Sequence, residues 1–245
     1  MVTKPSRRNQ STKPNHNCCK TILPGLFNAL NLRLPVNCLP GLIYNDDALL
    51  VAIKPAGLLS VPGRGADKQD CLTTRIQQKF PDALVVHRLD MATSGLMLFA
   101  RGADMQRHFS RIFREREVQK RYIAVVAGAL DSPAGEVDLP IVADWPNRPL
   151  RKIDIKSGKP SLTRYRLLEY DDVAHTSRVE LEPVTGRTHQ LRVHMSGIGH
   201  PVLGDTLYGG MTDANLDRLL LHSSMLAFVH PVSREPLKFV SVPLF

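Results

Sequence analysis

From residue 41 onward the chain alternates short apolar runs with polar turns, and each run predicts an element. Ala48-Leu49-Leu50-Val51-Ala52-Ile53 is apolar throughout and is stopped by Pro55 and Gly57, the signature of a buried strand. Leu72, Ile76 and Phe80 then recur at four-residue spacing behind Asp70, which predicts a helix over 70–80 with Asp70 as its N-cap. Leu96–Ala100 reads as a second buried strand, and 103–117 as a helix with Phe109, Ile112 and Phe113 on one face. Tyr122–Val126 is a strand ending at Gly128. Short strands are expected at Val137–Val142, Leu150–Ile155, Leu162–Tyr170 and Ser177–Leu181. Thr188 is the expected cap of a short helix through Met195, with Leu191, Met195 and Ile198 toward the core and Arg192 on another face. Strands at Leu219–Leu221, Met225–Val229 and Leu237–Val240 close the pattern. Strands outnumber helices and do not alternate with them, so the expected class is α+β, built on a central mixed, largely antiparallel sheet flanked by helices.

Residues 1–40 break this rhythm. They hold five scattered prolines and six basic side chains but no acid, which predicts a basic, flexible N-terminal extension ahead of a single domain over 41–245. The chain is formally +9, and setting the extension aside leaves only +3 for the domain. That balance fits a polyanionic partner. No run approaches the roughly 18 apolar residues of a membrane span, and no secretory leader is evident, so a cytoplasmic protein is expected. Cys18, Cys19, Cys38 and Cys71 include no C-x-x-C pair and read as reduced thiols.

Several kinds of chemistry fail on spacing. Ser157-Gly158-Lys159-Pro160-Ser161 resembles the end of a phosphate loop, but Ile153 stands where the first glycine belongs and Pro160 hinders the helix that must follow. There is no G-x-G-x-x-G, H-E-x-x-H or G-x-S-x-G. His189 and His194 are five apart and point to different helix faces, so no metal is expected.

What stands out is His87-Arg88-Leu89-Asp90-Met91-Ala92-Thr93-Ser94-Gly95, a lone carboxylate among cations at the edge of a strand. Two basic clusters accompany it: Arg107, Arg111, Arg114, Arg116, Lys120 and Arg121, and the seven cations between Arg148 and Arg166. Each alone reads as a solvated face, and together they suggest a footprint for a nucleic-acid backbone. The segment Thr185-Gly186-Arg187-Thr188-His189-Gln190-Leu191-Arg192 offers either a capping network or a cation, Arg192, to pair with Asp90. Trp145 taken alone fits a core residue.

Taken together, these residues resemble the RluA-type pseudouridine synthases over about residues 41 to 245. The resemblance rests on Lys54-Pro55-Ala56-Gly57-Leu58, His87 to Gly95, Lys120-Arg121-Tyr122, Thr185 to His194, Gly199 to Asp205, Tyr208-Gly209, Leu220-Leu221-His222 and His230-Pro231. It implies the pseudouridine synthase fold and cofactor-free isomerisation of uridine to pseudouridine in RNA. Asp90 would be the nucleophile or base, Tyr122 the platform under the flipped base, Arg192 the partner of Asp90, and Arg88 the residue entering the RNA. His87, Thr93, Arg187, His189, Gln190, Arg148 and Lys159 would contact substrate. Asp138 to Ile141, Asp144 to Pro149 and Gly158-Lys159-Pro160 resemble the branch without an S4 domain. That branch acts on the tRNA anticodon stem-loop at position 32 and on 23S rRNA at position 746. A monomer that partners tRNA and/or 23S rRNA, without membrane association, is expected. The competing reading is a non-catalytic RNA-binding or ribosome-assembly module of the same fold.

Overall fold

The computed structural model describes residues 41–209 and 216–245. The basic extension 1–40 lies outside the described residues, as do Cys18, Cys19 and Cys38. Twelve strands and three helices follow in the order β1 (Leu42–Asn45), β2 (Leu49–Lys54), α1 (Leu72–Gln77), β3 (Ala83–Val85), β4 (Ser94–Arg101), α2 (Gly102–Arg114), β5 (Gln119–Ala127), β6 (Ala134–Asp138), β7 (Ile141–Ala143), β8 (Arg151–Ile153), β9 (Leu162–Asp171), β10 (Thr176–Pro183), α3 (Gln190–Gly197), β11 (Leu221–Val229) and β12 (Pro236–Val240). Among the described residues, ten strands form one sheet in the order β1-β2-β4-β11-β5-β10-β9-β6, with β12 on β11 and β3 on β4, while β7 and β8 form a separate hairpin. Every pairing is antiparallel except β4 with β11, so the sheet is mixed and largely antiparallel, in agreement with the α+β expectation.

The central strand β4 is buried on both faces, which explains its unbroken apolar run. Side chains alternate across it. Leu96, Leu98 and Ala100 join Phe109 and Ile112 of α2 in one core cluster. Met97 and Phe99 join Leu72 and Ile76 of α1 in another. Burying a Leu or Phe side chain of this kind contributes about 1.5–3 kcal/mol, so each helix is held by its apolar face rather than by its own propensity. A third cluster places Leu191 and Met195 of α3 against Ala124, Val179 and Leu181. The parallel contact between β4 and β11 requires Gly95 at φ 113°, because a Cβ there would lie 2.3 Å from the Ser223 carbonyl oxygen.

Local details depart from the sequence pattern for identifiable reasons. Helix α1 is capped by Cys71, whose sulfur accepts from the Thr74 amide, while Asp70 sits one residue too early and instead clasps Arg75. That helix also stops at Gln77, before Phe80. Thr188 does not cap α3, for the helix begins later, behind His189 in a left-handed conformation. Pro140 divides the expected strand 137–142 into β6 and β7, since it cannot donate to a ladder. Conversely, 221–229 is one strand where two were expected. Trp145 is not in the core but 67% exposed, with the Arg148 guanidinium 3.5 Å over its ring.

Candidate active site

The segment between β3 and β4 carries Asp90 to the mouth of a cleft of about 510 Å³. Its backbone is pinned on both sides of the acid. Leu89 is buried and exchanges hydrogen bonds with the Ser60 hydroxyl at 2.7 and 3.0 Å. The Met91 carbonyl accepts from Lys54 Nζ and from the Gly57 amide, both at 2.9 Å. The Thr93 amide donates to the Asp90 carbonyl across a tight turn. Lys54 is wholly buried, and its three donors are spent on the carbonyls of Pro55, Leu58 and Met91. Burial pushes the Lys54 ammonium down to about 7 against the pull of Asp90's charge. Asp90 is thus presented by a rigid turn, as a group that must hold a reacting geometry requires.

Two groups face the Asp90 carboxylate. Arg192 Nη1 lies 3.4 Å from Oδ2, and His189 Nε2 lies 3.9 Å from Oδ1. The sequence offers Arg192 as a partner for Asp90; it is also buried and bound in fork geometry to Asp205 at 2.6 and 2.7 Å, a second partner that the sequence reading does not name. Burial alone would lower the Arg192 guanidinium, but hydrogen bonds and charge from Asp205, with Asp90 adding its own charge, hold it above its usual value. Asp205 follows Gly204, which must adopt φ 72° and passes so close to the Arg218 carbonyl that no Cβ fits. Sequence reasoning does not find the role of Asp205, because Gly204-Asp205 is one motif among several and names no partner.

The wall of the cleft is formed by Tyr122 of β5, with Leu221 and Leu191 beside it. Burial holds the Tyr122 phenol up at about 12, so the ring is neutral and apolar in character. Thr93 is buried and lines the cleft. Arg88 stands exposed at the rim, with no ion-pair partner among the described residues. Phe113, Arg114, Arg116, Lys120 and Arg187 line the rest of the rim. The first basic cluster therefore does reach the site, through Arg114, Arg116 and Lys120. Its other members are engaged elsewhere: Arg107 with Asp104, Arg111 with Glu115, Arg121 with Glu182.

Other sequence-predicted residues divide by their bonding. His87 lines the cleft with its ring stacked on Phe113, but its Nε2 accepts from the Leu98 amide at 2.9 Å, and burial drives the imidazole down to about 3. It is a neutral wall element that ties the turn to β4. Gln190 is absorbed by Thr185, the Arg187 amide, Leu162 and Thr163, so its amide serves the fold. Arg187 reaches the Pro160 carbonyl and keeps its outer face at the rim. Arg148, on the β7–β8 hairpin, and Lys159, whose backbone bridges to Ile141, do not line the cleft.

Comparison with known proteins bears on this arrangement. Residues 48–197 match the family model described as RNA pseudouridylate synthase. The chain is 48% identical over 199 residues to the dual-specificity RNA pseudouridine synthase RluA of Escherichia coli K12, covering 81% of this chain and 90% of that protein. It is likewise 48% identical to the RluA of Yersinia pestis, over 80% of this chain and 96% of that one. Among solved structures, human RNA pseudouridylate synthase domain containing 1 aligns with a TM-score of 0.71 at 30% identity, covering 85% of this chain and 84% of its own. Human RNA pseudouridylate synthase domain containing 4 aligns with a TM-score of 0.67 at 27% identity, covering 83% and 89%.

Proposed function

The chain belongs to the RNA pseudouridylate synthase family, and we propose that it isomerises uridine in two structured RNAs, the tRNA anticodon stem-loop and 23S rRNA, with Asp90, Tyr122 and Arg192 as the reacting constellation. The observation that carries this reading is the single carboxylate held by a pinned turn opposite a buried, charge-paired arginine, with a neutral aromatic wall beside it. Isomerisation breaks the bond from ribose C1′ to uracil N1, turns the base, and rejoins it through C5. The target must leave its stack first, at a cost of a few kcal/mol. Arg88, exposed at the rim, enters the space vacated by the base, and Tyr122 receives the uracil face. Arg192 places positive charge beside Asp90 without closing on it, since 3.4 Å is longer than a tight charge-assisted bond. That leaves a carboxylate oxygen available to the sugar.

Recognition of a folded loop rests on shape and backbone contacts. The cations at the cleft rim serve the flanking phosphates. Arg148 and Lys159, outside the cleft, serve more distant parts of the RNA, as does the Trp145–Arg148 stack. Among the described residues no helix is long and apolar enough to cross a membrane. The working form is a monomer acting on cytoplasmic RNA.

The decisive experiment measures tritium release from RNA carrying C5-labelled uridine, with no cofactor added. The wild-type chain should release tritium stoichiometrically from one site in each RNA. Asp90→Asn should abolish release while retaining RNA binding. Undiminished release by that variant removes Asp90 from the mechanism, and RNA binding without release by the wild type favours the non-catalytic reading.

A further inference from the structure

His189 is a cleft residue whose hydrogen bonding is set from behind. It precedes α3 at φ 59°, a left-handed conformation that few side chains adopt and that turns its ring into the cleft. Its Nδ1 lies 2.8 Å from the Tyr208 hydroxyl. That same hydroxyl accepts the Arg151 amide at 2.9 Å. Having accepted one hydrogen, the phenol donates its own to Nδ1, and a neutral imidazole then carries its hydrogen on Nε2. Burial lowers the proton affinity of the ring, with the neighbouring charges of Arg192 and Arg151 acting in the same direction against Asp90. The opposite tautomer would aim an Nε2 lone pair at the Asp90 carboxylate 3.9 Å away, which is repulsive. Two independent contacts, one behind the ring and one in front, therefore select the same state.

We propose that His189 donates Nε2–H to the 2′-hydroxyl oxygen of the target ribose, and that Tyr208 is the positioning residue that fixes this donor. The inference rests on the reading of the cleft as the uridine site. The gap of 3.9 Å is too long for a bond from Nε2 to Asp90. Among the described residues Nε2 has no other acceptor, and it lines the cleft beside the carboxylate, where a substrate oxygen approaching Asp90 from the open side comes within its reach. Asp90 acts at C1′ or C2′, so the oxygens bonded to those carbons are the ones within reach. The ring oxygen loses electron density as the glycosidic bond breaks, and a donor to it would oppose the reaction. The 2′-hydroxyl accepts such a donor without that penalty, and it is the group by which a site distinguishes RNA from DNA.

The test compares single-turnover rates on one RNA carrying either uridine or 2′-deoxyuridine at the target position. Wild type should prefer the ribose. His189→Leu should slow the ribose substrate about three- to tenfold, the worth of one neutral hydrogen bond, and leave the deoxy substrate within about twofold. His189→Gln, whose amide donor reaches the same region, should restore part of the ribose preference. Tyr208→Phe should reduce the preference through the rate rather than KM, and should shift the imidazole nitrogen resonances away from those of a pure Nε2–H tautomer. Equal slowing of both substrates by His189→Leu, or an unchanged ratio in all three variants, overturns the proposal. Those results leave the wild-type tritium release untouched, so failure here is distinct from failure of the functional reading.

Discussion

The floor of the cleft and its rim use the same kinds of side chain in opposite ways. On the floor, Arg192 is buried and bound in fork geometry to Asp205; Lys54, buried outside the cleft lining, gives all its donors to backbone carbonyls and pins the Asp90 turn. At the rim, Arg88, Arg114, Arg116 and Arg187 are exposed, and their strongest ion-pair contact among the described residues is Arg114 to Glu115 at 4.0 Å. Buried cations must be compensated within the protein, because an unpaired charge out of water costs several kcal/mol. Exposed cations keep their water and can exchange it for phosphate. On the proposed reading the floor sets the reacting geometry, and the rim holds charge in reserve for RNA phosphates.

The sharpest way to break this contrast is Asp205→Ala. It strands the Arg192 guanidinium in a dry site, and the expected cost is about 3–5 kcal/mol in urea-monitored unfolding. Single-turnover tritium release should fall as well, since Arg192 is then no longer held in place beside Asp90. A stability change of less than about 1 kcal/mol would show that Arg192 is solvated and that the floor does not differ from the rim.

Next in size is the effect of acid on the interior imidazoles. Burial pushes His87 down to about 3, while burial and the nearby Arg218 charge push His222 down to about 4. His222 is bonded on both nitrogens, to Ser94 and Ser241. In the unfolded chain histidine titrates near about 6.5. Between these values the unfolded state binds protons that the folded state refuses, so stability is full above about pH 6.5 and falls as the pH drops toward about 4 and then about 3. Unfolding free energies measured from about pH 7 to about pH 4.5 should decline by a few kcal/mol, with a shallower slope in His222→Asn. A flat profile would mean that these rings are already wet.

The smallest expected effect on the fold lies at the rim. Arg114→Ala with Arg116→Ala should change unfolding free energy by no more than about 0.5 kcal/mol. The same double variant should weaken RNA binding and make the salt dependence shallower, by about 0.7 in slope for every single-strand phosphate that either arginine neutralises. An unchanged slope would reassign these arginines to ordinary solvated surface.

The two regions also differ in how far the sequence makes them legible. Asp90 is legible because its surroundings are local in sequence: a turn of Thr93, Ser94 and Gly95 leading into the apolar run Leu96–Ala100. Arg114 and Lys120 are legible as basic positions, but which members of their cluster are already paired is not, since Arg121 finds Glu182 only across adjacent strands. His87, read as a substrate contact, does line the cleft, but the sequence does not show that its Nε2 is taken up by the Leu98 amide. Gln190 likewise serves the fold. Asp205 and Tyr208 carry no periodicity or spacing of their own, and their importance comes from reaching Arg192 and His189 across a loop. Pro140 is visible as a residue hostile to a strand, yet the apolar residues on either side dominate the pattern and hide its division of β6 from β7.

By itself the sequence determined the strand-rich class, the positions of the core runs and the turn that carries the candidate acid Asp90. These follow from side-chain periodicity and from what Gly and Pro do to a backbone within a few residues. Only the tertiary structure decided which cations are ion-paired and which are exposed at the rim, which groups lie on either side of the His189 ring, and which acid anchors Arg192. Those outcomes depend on distance and burial between groups far apart in the chain, because both the Coulomb interaction and its cost in lost hydration are set in space.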